Sequence, residues 1–155
     1  MIQRVQSIWL LLAVITLICL FFLPLLTKKV DGANQGVYTS GIHTDLAAES
    51  GSQYSVSFAI PSITLSIAAT LLCFGAIFFY KNRRLQKNII AAAILVIIAL
   101  AALCFYNGQE LQGGLTGASV TVGTFLPLVA IIFCLLAIRG IRKDEQLLRS
   151  ADRLR

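Results

Sequence analysis

The sequence has 155 residues, 57% of them hydrophobic and only 13% charged, about half the charged share of ordinary globular domains. A water-soluble fold of this size cannot hide so much apolar surface, which excludes a soluble globular domain and makes lipid the relevant solvent. The net charge of +6 does not argue for a nucleic-acid partner, because its placement along the chain follows membrane topology and attraction to anionic headgroups.

A helix rises about 1.5 Å per residue, so a hydrocarbon core of about 30 Å takes roughly 20 apolar residues to cross. Residues 5–26 are the first such run. Arg4 gives it a basic start, but the run is too long for a signal-peptide core. Pro24, Lys28 and Lys29 follow it rather than an A-x-A-like cleavage site, so a retained span is expected. Residues 27–55 are too long for a simple connector. Val30-Asp31-Gly32-Ala33-Asn34 reads as turn, while residues 36–42 and 54–58 have strand character, the latter alternating at period two. A small antiparallel hairpin, with Glu49-Ser50-Gly51-Ser52 near its turn, competes here with a flexible polar loop.

Residues 56–80 form the second span, 81–88 a short turn, and 89–106 the third span, which Leu85 and Gln86 can extend into the headgroups. Residues 107–118 are a glycine-rich loop in which Gly113 and Gly117 match G-x-x-x-G only in a polar context. Residues 119–138 form the fourth span and 139–155 a tail. No span carries a Lys, Arg, Asp, Glu or His in its central portion.

Basic residues set the orientation. Arg4 precedes span one; Lys81, Arg83, Arg84 and Lys87 sit between spans two and three; Arg139, Arg142, Lys143, Arg149, Arg153 and Arg155 follow span four. The opposite side has only Lys28 and Lys29. The positive-inside rule therefore puts both termini and the 81–88 turn in the cytoplasm. The expected fold is an all-α membrane protein: a four-helix transmembrane bundle with both ends inside, a small outer hairpin and a cytoplasmic C-terminal helix.

Within that bundle, Ser62, Ser66 and Thr70 recur on one face of span two, and Ala92, Ala99 and Ala102 line a small seam on span three. Small residues suit helix contacts in lipid, where association depends on close packing. Pro24 and Pro61 fall near span ends, whereas Pro127 falls inside span four and is expected to kink it near Gly123.

Chemistry is sparse. Cys19, Cys73, Cys104 and Cys134 lie one per span, with no C-x-x-C pair, and read as small buried apolar residues. His43, with Asp45 and Glu49 nearby, is too poor a ligand set for a metal and reads as a solvated loop residue. No P-loop, G-x-S-x-G or H-E-x-x-H occurs. Pumps and proton relays need ionisable groups inside the membrane. This chain offers there only hydroxyls, including Thr16, Ser62, Thr64, Ser66, Thr70, Thr121 and Thr124. No enzyme activity and no cofactor are expected.

The tail is the most distinctive stretch. Ile141, Leu147, Leu148, Ala151 and Leu154 approximate an apolar stripe at helical spacing, and Glu145 and Arg149 form a favourable i,i+4 pair. Acids interrupt the basic run, which lipid binding alone does not require. The tail set Arg142, Lys143, Asp144, Glu145, Leu148, Arg149, Asp152, Arg153 and Leu154 is thus the candidate partner-binding element; an exposed, charge-laced helix end is the competing reading.

The start, Met1-Ile2-Gln3-Arg4-Val5-Gln6-Ser7-Ile8-Trp9-Leu10-Leu11-Leu12-Ala13, resembles an uncharacterised family, a domain of unknown function, of small four-pass bacterial inner-membrane proteins. So does the tail, Ile141-Arg142-Lys143-Asp144-Glu145 through Leu148-Arg149-Ser150-Ala151-Asp152-Arg153-Leu154-Arg155. The resemblance implies four spans with cytoplasmic ends and supplies no catalytic residues. The function expected is a non-catalytic subunit or scaffold of a larger inner-membrane assembly. Its partners are the bilayer and a membrane or cytoplasmic protein, with a homo-oligomer left open. The alternative is a small transporter or channel for a neutral or lipidic solute, lined by the span-two hydroxyls and gated near Pro127.

Overall fold

The computed structural model describes residues 3–30, 33–46, 53–79, 82–109 and 118–152. In chain order these form α1 (Gln3–Phe22), β1 (Leu26–Val30), β2 (Ala33–Tyr38), β3 (Gly41–Leu46), β4 (Gln53–Phe58), α2 (Ile60–Phe78), α3 (Arg83–Gln109), β5 (Ser119–Val120), a 3-10 turn (Val122–Phe125) and α4 (Leu126–Asp152). Three stretches, Ile60–Phe78, Arg83–Gln109 and Val122–Leu147, are helical, long and apolar enough to cross a membrane, which marks this as a membrane protein. α1 packs chiefly on α4 and α2 chiefly on α3, and the α1–α2 and α3–α4 contacts complete the helical layer.

Each helix buries a seam with alternating steps of three and four residues. On α1 it is Gln6, Leu10, Ala13, Leu17 and Leu20; on α2, Ser62, Ser66, Ala69, Cys73 and Ala76. On α3 it is Gln86, Ile90, Ala93, Ile97, Leu100 and Cys104, and on α4, Ala130, Cys134, Ala137, Ile141 and Asp144. An average step of 3.5 keeps each seam facing its neighbours in left-handed packing. The opposite faces carry exposed Ile15, Ile18, Leu71, Phe74, Leu95 and Leu135. Leucine gains nothing by leaving lipid for protein, so close van der Waals contact and polar pairs must supply the cohesion.

These seams correct the expected packing on α3. Ala92, Ala99 and Ala102 are exposed, and the buried row runs through Ala93 instead. The small surface comes from α2, where Ser62 and Ser66 are buried and Thr70 is half-buried. In the core that the two helices share, Ala69, Cys73 and Ala76 of α2 lie with Ile90, Ala93 and Ile97 of α3.

The first loop is a folded sheet. Five antiparallel strands lie in the order β4-β3-β2-β1-β5, so the all-α expectation gives way to a helical layer with a small sheet at one end. Residues 36–42, expected as one strand, are two. The chain reverses through Thr39-Ser40, with Tyr38 paired to Gly41, and Gly41 adopts a φ of 134° that side-chain-bearing residues avoid. β4 agrees with the expected strand at 54–58 and pairs with β3. The Glu49–Ser52 turn lies outside the described residues, as does the 110–117 loop.

The sheet is tied to the helices through backbone. α1 ends at Phe22, short of Leu26, because Pro24 has no amide to continue the ladder and drives the chain extended. Buried Thr39 donates its hydroxyl to the Leu20 carbonyl at 3.2 Å, satisfying one of the orphan acceptors of the helix end. Leu25 N donates to Val37 O at 2.8 Å and Ala59 N to Ser40 O at 3.1 Å. On the other side, Thr121 N donates to Leu25 O at 3.1 Å, and Thr124 Oγ1 donates to the same oxygen.

Pro127 is also re-placed. The expected kink is absent because the helix does not reach back past it: residues 119–120 are β5, 122–125 are the 3-10 turn, and Pro127 is the second residue of α4. A proline suits a first helical turn, where the missing amide has no partner to lose.

Candidate functional site

α4 is one helix of 27 residues, about 40 Å at about 1.5 Å per residue, and exceeds the about 30 Å hydrocarbon core. It starts at the sheet, so its last turns project from the end remote from the sheet. There the apolar seams give way to a polar layer. Gln6 Nε2 of α1 donates to Asp144 Oδ2 of α4 at 2.5 Å, and both residues are buried. Gly140 makes room for this contact, since a Cβ there would stand 3.1 Å from Gln6 Cγ. Lys87 Nζ of α3 meets Glu145 Oε2 of α4 at 2.9 Å. Gln86 Nε2 donates to the Ala76 carbonyl at 3.0 Å, linking α3 to the last turn of α2.

The layer leaves two buried polar atoms without a hydrogen-bond partner, Asp144 Oδ1 and one guanidinium nitrogen of Arg83. Exposed residues surround it: Arg84 on α3 and Arg139, Arg142, Lys143, Gln146 and Leu147 on α4. At the sheet end one further polar pair joins α2 to α3, with Asn107 Nδ2 donating to Ser62 Oγ at 3.0 Å.

The structure divides the expected tail set. Arg142 and Lys143 stand exposed. Asp144 is 6% exposed and committed to Gln6, and Glu145 reaches Lys87, so these two acids hold helices together rather than forming a free docking face. The backbone of Leu148, Arg149 and Asp152 is helical within α4, while their side chains, and Arg153 and Leu154 altogether, lie outside the described residues.

The span-two hydroxyls named for a solute path mostly make hydrogen bonds within the helical layer. Ser62 accepts from Asn107, Thr70 Oγ1 donates to Ser66 O at 2.8 Å, and Thr64 Oγ1 donates to Pro61 O at 2.9 Å. Ser66 Oγ is buried without a partner. Ser62 and Ser66 are buried in helix–helix contact, Thr70 is half-buried and Thr64 is exposed.

His43 is corrected from solvated loop to strand: it sits half-buried in β3, with Nε2 2.9 Å from Ser40 Oγ and its ring 4.5 Å from that of Tyr38. Cys73, Cys104 and Cys134 are buried, and the first and last face each other at 3.9 Å between sulfurs. Among the described residues no group of three or more His, Cys, Asp or Glu could hold a metal.

Gln6, Gln86 and Asn107 carry polar contacts, with Gly140 leaving space for Gln6; in sequence Gln86 reads only as a headgroup extension of span three, and none of the four reads as a helix contact. The signal was there: Gln6 lies four residues before Leu10 and Gln86 four before Ile90, in phase with the buried seams. A polar residue in the apolar phase near a span end marks an interhelical bond.

The model of a family described as a domain of unknown function, DUF4293, matches residues 2–154; the chain belongs to that family. No curated protein matches the chain.

Proposed function

We propose that this DUF4293 protein crosses the bacterial inner membrane four times, with both termini in the cytoplasm and the sheet outside. In that setting it serves as a non-catalytic subunit or scaffold of a larger assembly. α1 supports the fourth crossing. It has 20 residues and follows α4 from the Gln6–Asp144 bond at one end to the neighbourhood of Leu25 at the other, so it runs at the same depth as a helix that spans. The bias of basic residues toward the end remote from the sheet supports the orientation.

The observation that carries the scaffold reading is the unbroken α4. A bundle whose described interior polar groups are largely spent on interhelical bonds sends one rigid helix past the bilayer, with Arg139, Arg142, Lys143 and Leu147 exposed on it. Such a helix end fits a partner groove of acidic and apolar character. No enzyme activity is assigned. The transport alternative has less support, because Ser62 and Thr70 of its lining are hydrogen-bonded within the helical layer and Ser66 is buried there.

The test is affinity purification of the full-length tagged protein at native expression in mild detergent, against a chain truncated after Glu145 that also carries Arg139→Ala, Arg142→Ala and Lys143→Ala. That cut preserves the Gln6–Asp144 and Lys87–Glu145 contacts. A stoichiometric partner held by the full chain and lost on truncation is expected. A partner retained equally by both chains would overturn the role of the tail.

A further inference from the structure

At the sheet end a cleft of about 320 Å³ opens between α3, the start of α4 and the strands β1 and β5. Its inner wall is Leu25, Leu26, Ala101 and Cys104; Phe105 and Val120 form its rim. The inner residues Leu25, Leu26 and Cys104 are buried, whereas Phe105 and Val120 are 57% and 61% exposed, so the mouth lies on the outward, lipid-facing side.

Three properties define what fills it. The first is polarity. Of the polar lining groups, the Thr124 hydroxyl is spent on Leu25 O and the Cys104 thiol is a weak partner. A water needs two to four polar partners to reside in a cavity, and apolar cavities stay dry. The second is size: the volume equals about ten waters at ~30 Å³ each, room for a hydrocarbon segment of about that many carbons, and it lies at the small end of ligand sites. The third is charge. Side chains alternate along a strand, so Lys28 stands on the same face of β1 as cleft residue Leu26, whereas Lys29 stands on the opposite face. The segment from residue 27 to 55 carries Lys28 and Lys29 together with Asp31, Asp45 and Glu49.

The walls are fixed. Gly123 packs its backbone directly on Pro24, and Thr121 and Thr124 both bond Leu25 O, so β1 and the start of α4 hold their spacing.

We propose that this cleft binds one acyl chain of an anionic phospholipid of the outer leaflet, with the headgroup phosphate reached from Lys28 on the same face of β1. The inference rests on the membrane placement given above and not on the tail: loss of the tail partner leaves it standing.

The full-length protein is reconstituted in vesicles of phosphatidylethanolamine and phosphatidylglycerol containing a trace of phosphatidylglycerol with a diazirine in one acyl chain. After illumination, adducts are mapped by peptide mass spectrometry. Labelling of residues 101–105 and 118–127 at least fivefold above the equally lipid-exposed α2 stretch around Leu71 and Phe74 is expected. Ala101→Phe, which fills the cleft, and Val120→Trp, which narrows its mouth from an exposed and tolerant position, each remove that excess and leave the α2 labelling unchanged. A phosphatidylcholine probe labels the cleft at least twofold less; Lys28→Ala brings the two probes to parity, whereas Lys29→Ala, on the opposite face, leaves the difference in place. Uniform labelling of all lipid-facing segments overturns the binding site. Equal labelling by both probes in the wild type overturns the headgroup assignment. Unlabelled α2 would instead show that the helices were not in the bilayer, a failure of the membrane placement.

Discussion

Gly123 is where the helical layer and the sheet are pressed together, and Gly123→Ala tests that junction. An alanine Cβ would stand 2.3 Å from the Pro24 oxygen, 2.8 Å from its carbonyl carbon and 3.1 Å from the Leu23 oxygen. All three are backbone atoms, so no rotamer change relieves the contact. Relief requires lifting the 3-10 turn from the 23–25 segment, which breaks the bonds from Thr121 N and Thr124 Oγ1 to Leu25 O. Overpacking costs about 1–3 kcal/mol and each lost hydrogen bond about 0.5–1.5 kcal/mol. The general gain from removing a glycine returns only about 0.4–1 kcal/mol. The net loss is about 3 kcal/mol, or a Tm lower by roughly 6–12 °C for a chain of this size. The control is Gly75→Ala in α2, where an added Cβ meets nothing within 4 Å; it raises stability by about 0.5–1 kcal/mol. Thermal unfolding in mild detergent, followed with a thiol-reactive fluorophore, reads exposure of the buried Cys73, Cys104 and Cys134. A Gly123→Ala protein melting at or above the wild-type temperature would refute the junction.

Gln6→Leu removes a partner from buried Asp144 and lowers stability by about 2–3 kcal/mol. Gln6→Leu with Asp144→Leu costs less than Gln6→Leu alone, because no unpaired buried carboxylate remains; a double-mutant cycle in the same thermal assay checks this, and simple additivity would contradict it. Ser66→Ala is neutral or stabilising, by up to about 1 kcal/mol, because it removes a buried hydroxyl with no partner, whereas Ser66→Leu overpacks a fully buried position and costs about 1–3 kcal/mol. Lys87→Ala shifts the Tm by no more than about 4 °C: the Lys87–Glu145 pair is 28% and 24% exposed and is worth about 0–1 kcal/mol. A larger fall would show that the polar layer is coupled through this pair.

How the molecule reads from its sequence depends on how local the physics is. Membrane character and the approximate positions of the four helices follow from the sequence, because the cost of exposing polar backbone to hydrocarbon acts on each segment separately. The strand at β4 was legible for a similar reason: period-two alternation is a local pattern. The two-residue reversal at Thr39-Ser40 is marked locally only by the Ser40-Gly41 pair, a turn signal that the strand character of residues 36–42 on either side obscures.

The tertiary structure decided the rest, and in each case through a contact between distant residues. Ala92 and Ala93 are chemically identical, and only the phase of the α3 seam against α2 buries one and exposes the other. Asp144 reads in sequence as one more tail charge; packing of α1 on α4, with Gly140 leaving space, turns it into an interhelical acceptor. Pro127 looks like a kink within a long apolar run until the 23–25 segment captures Thr121 and Thr124 and forces the helix to begin later. Sequence determined which solvent each segment requires, because partition into lipid is a property of the segment. Only the fold determined which face and which partner each residue takes, because those depend on distances between residues up to 138 positions apart.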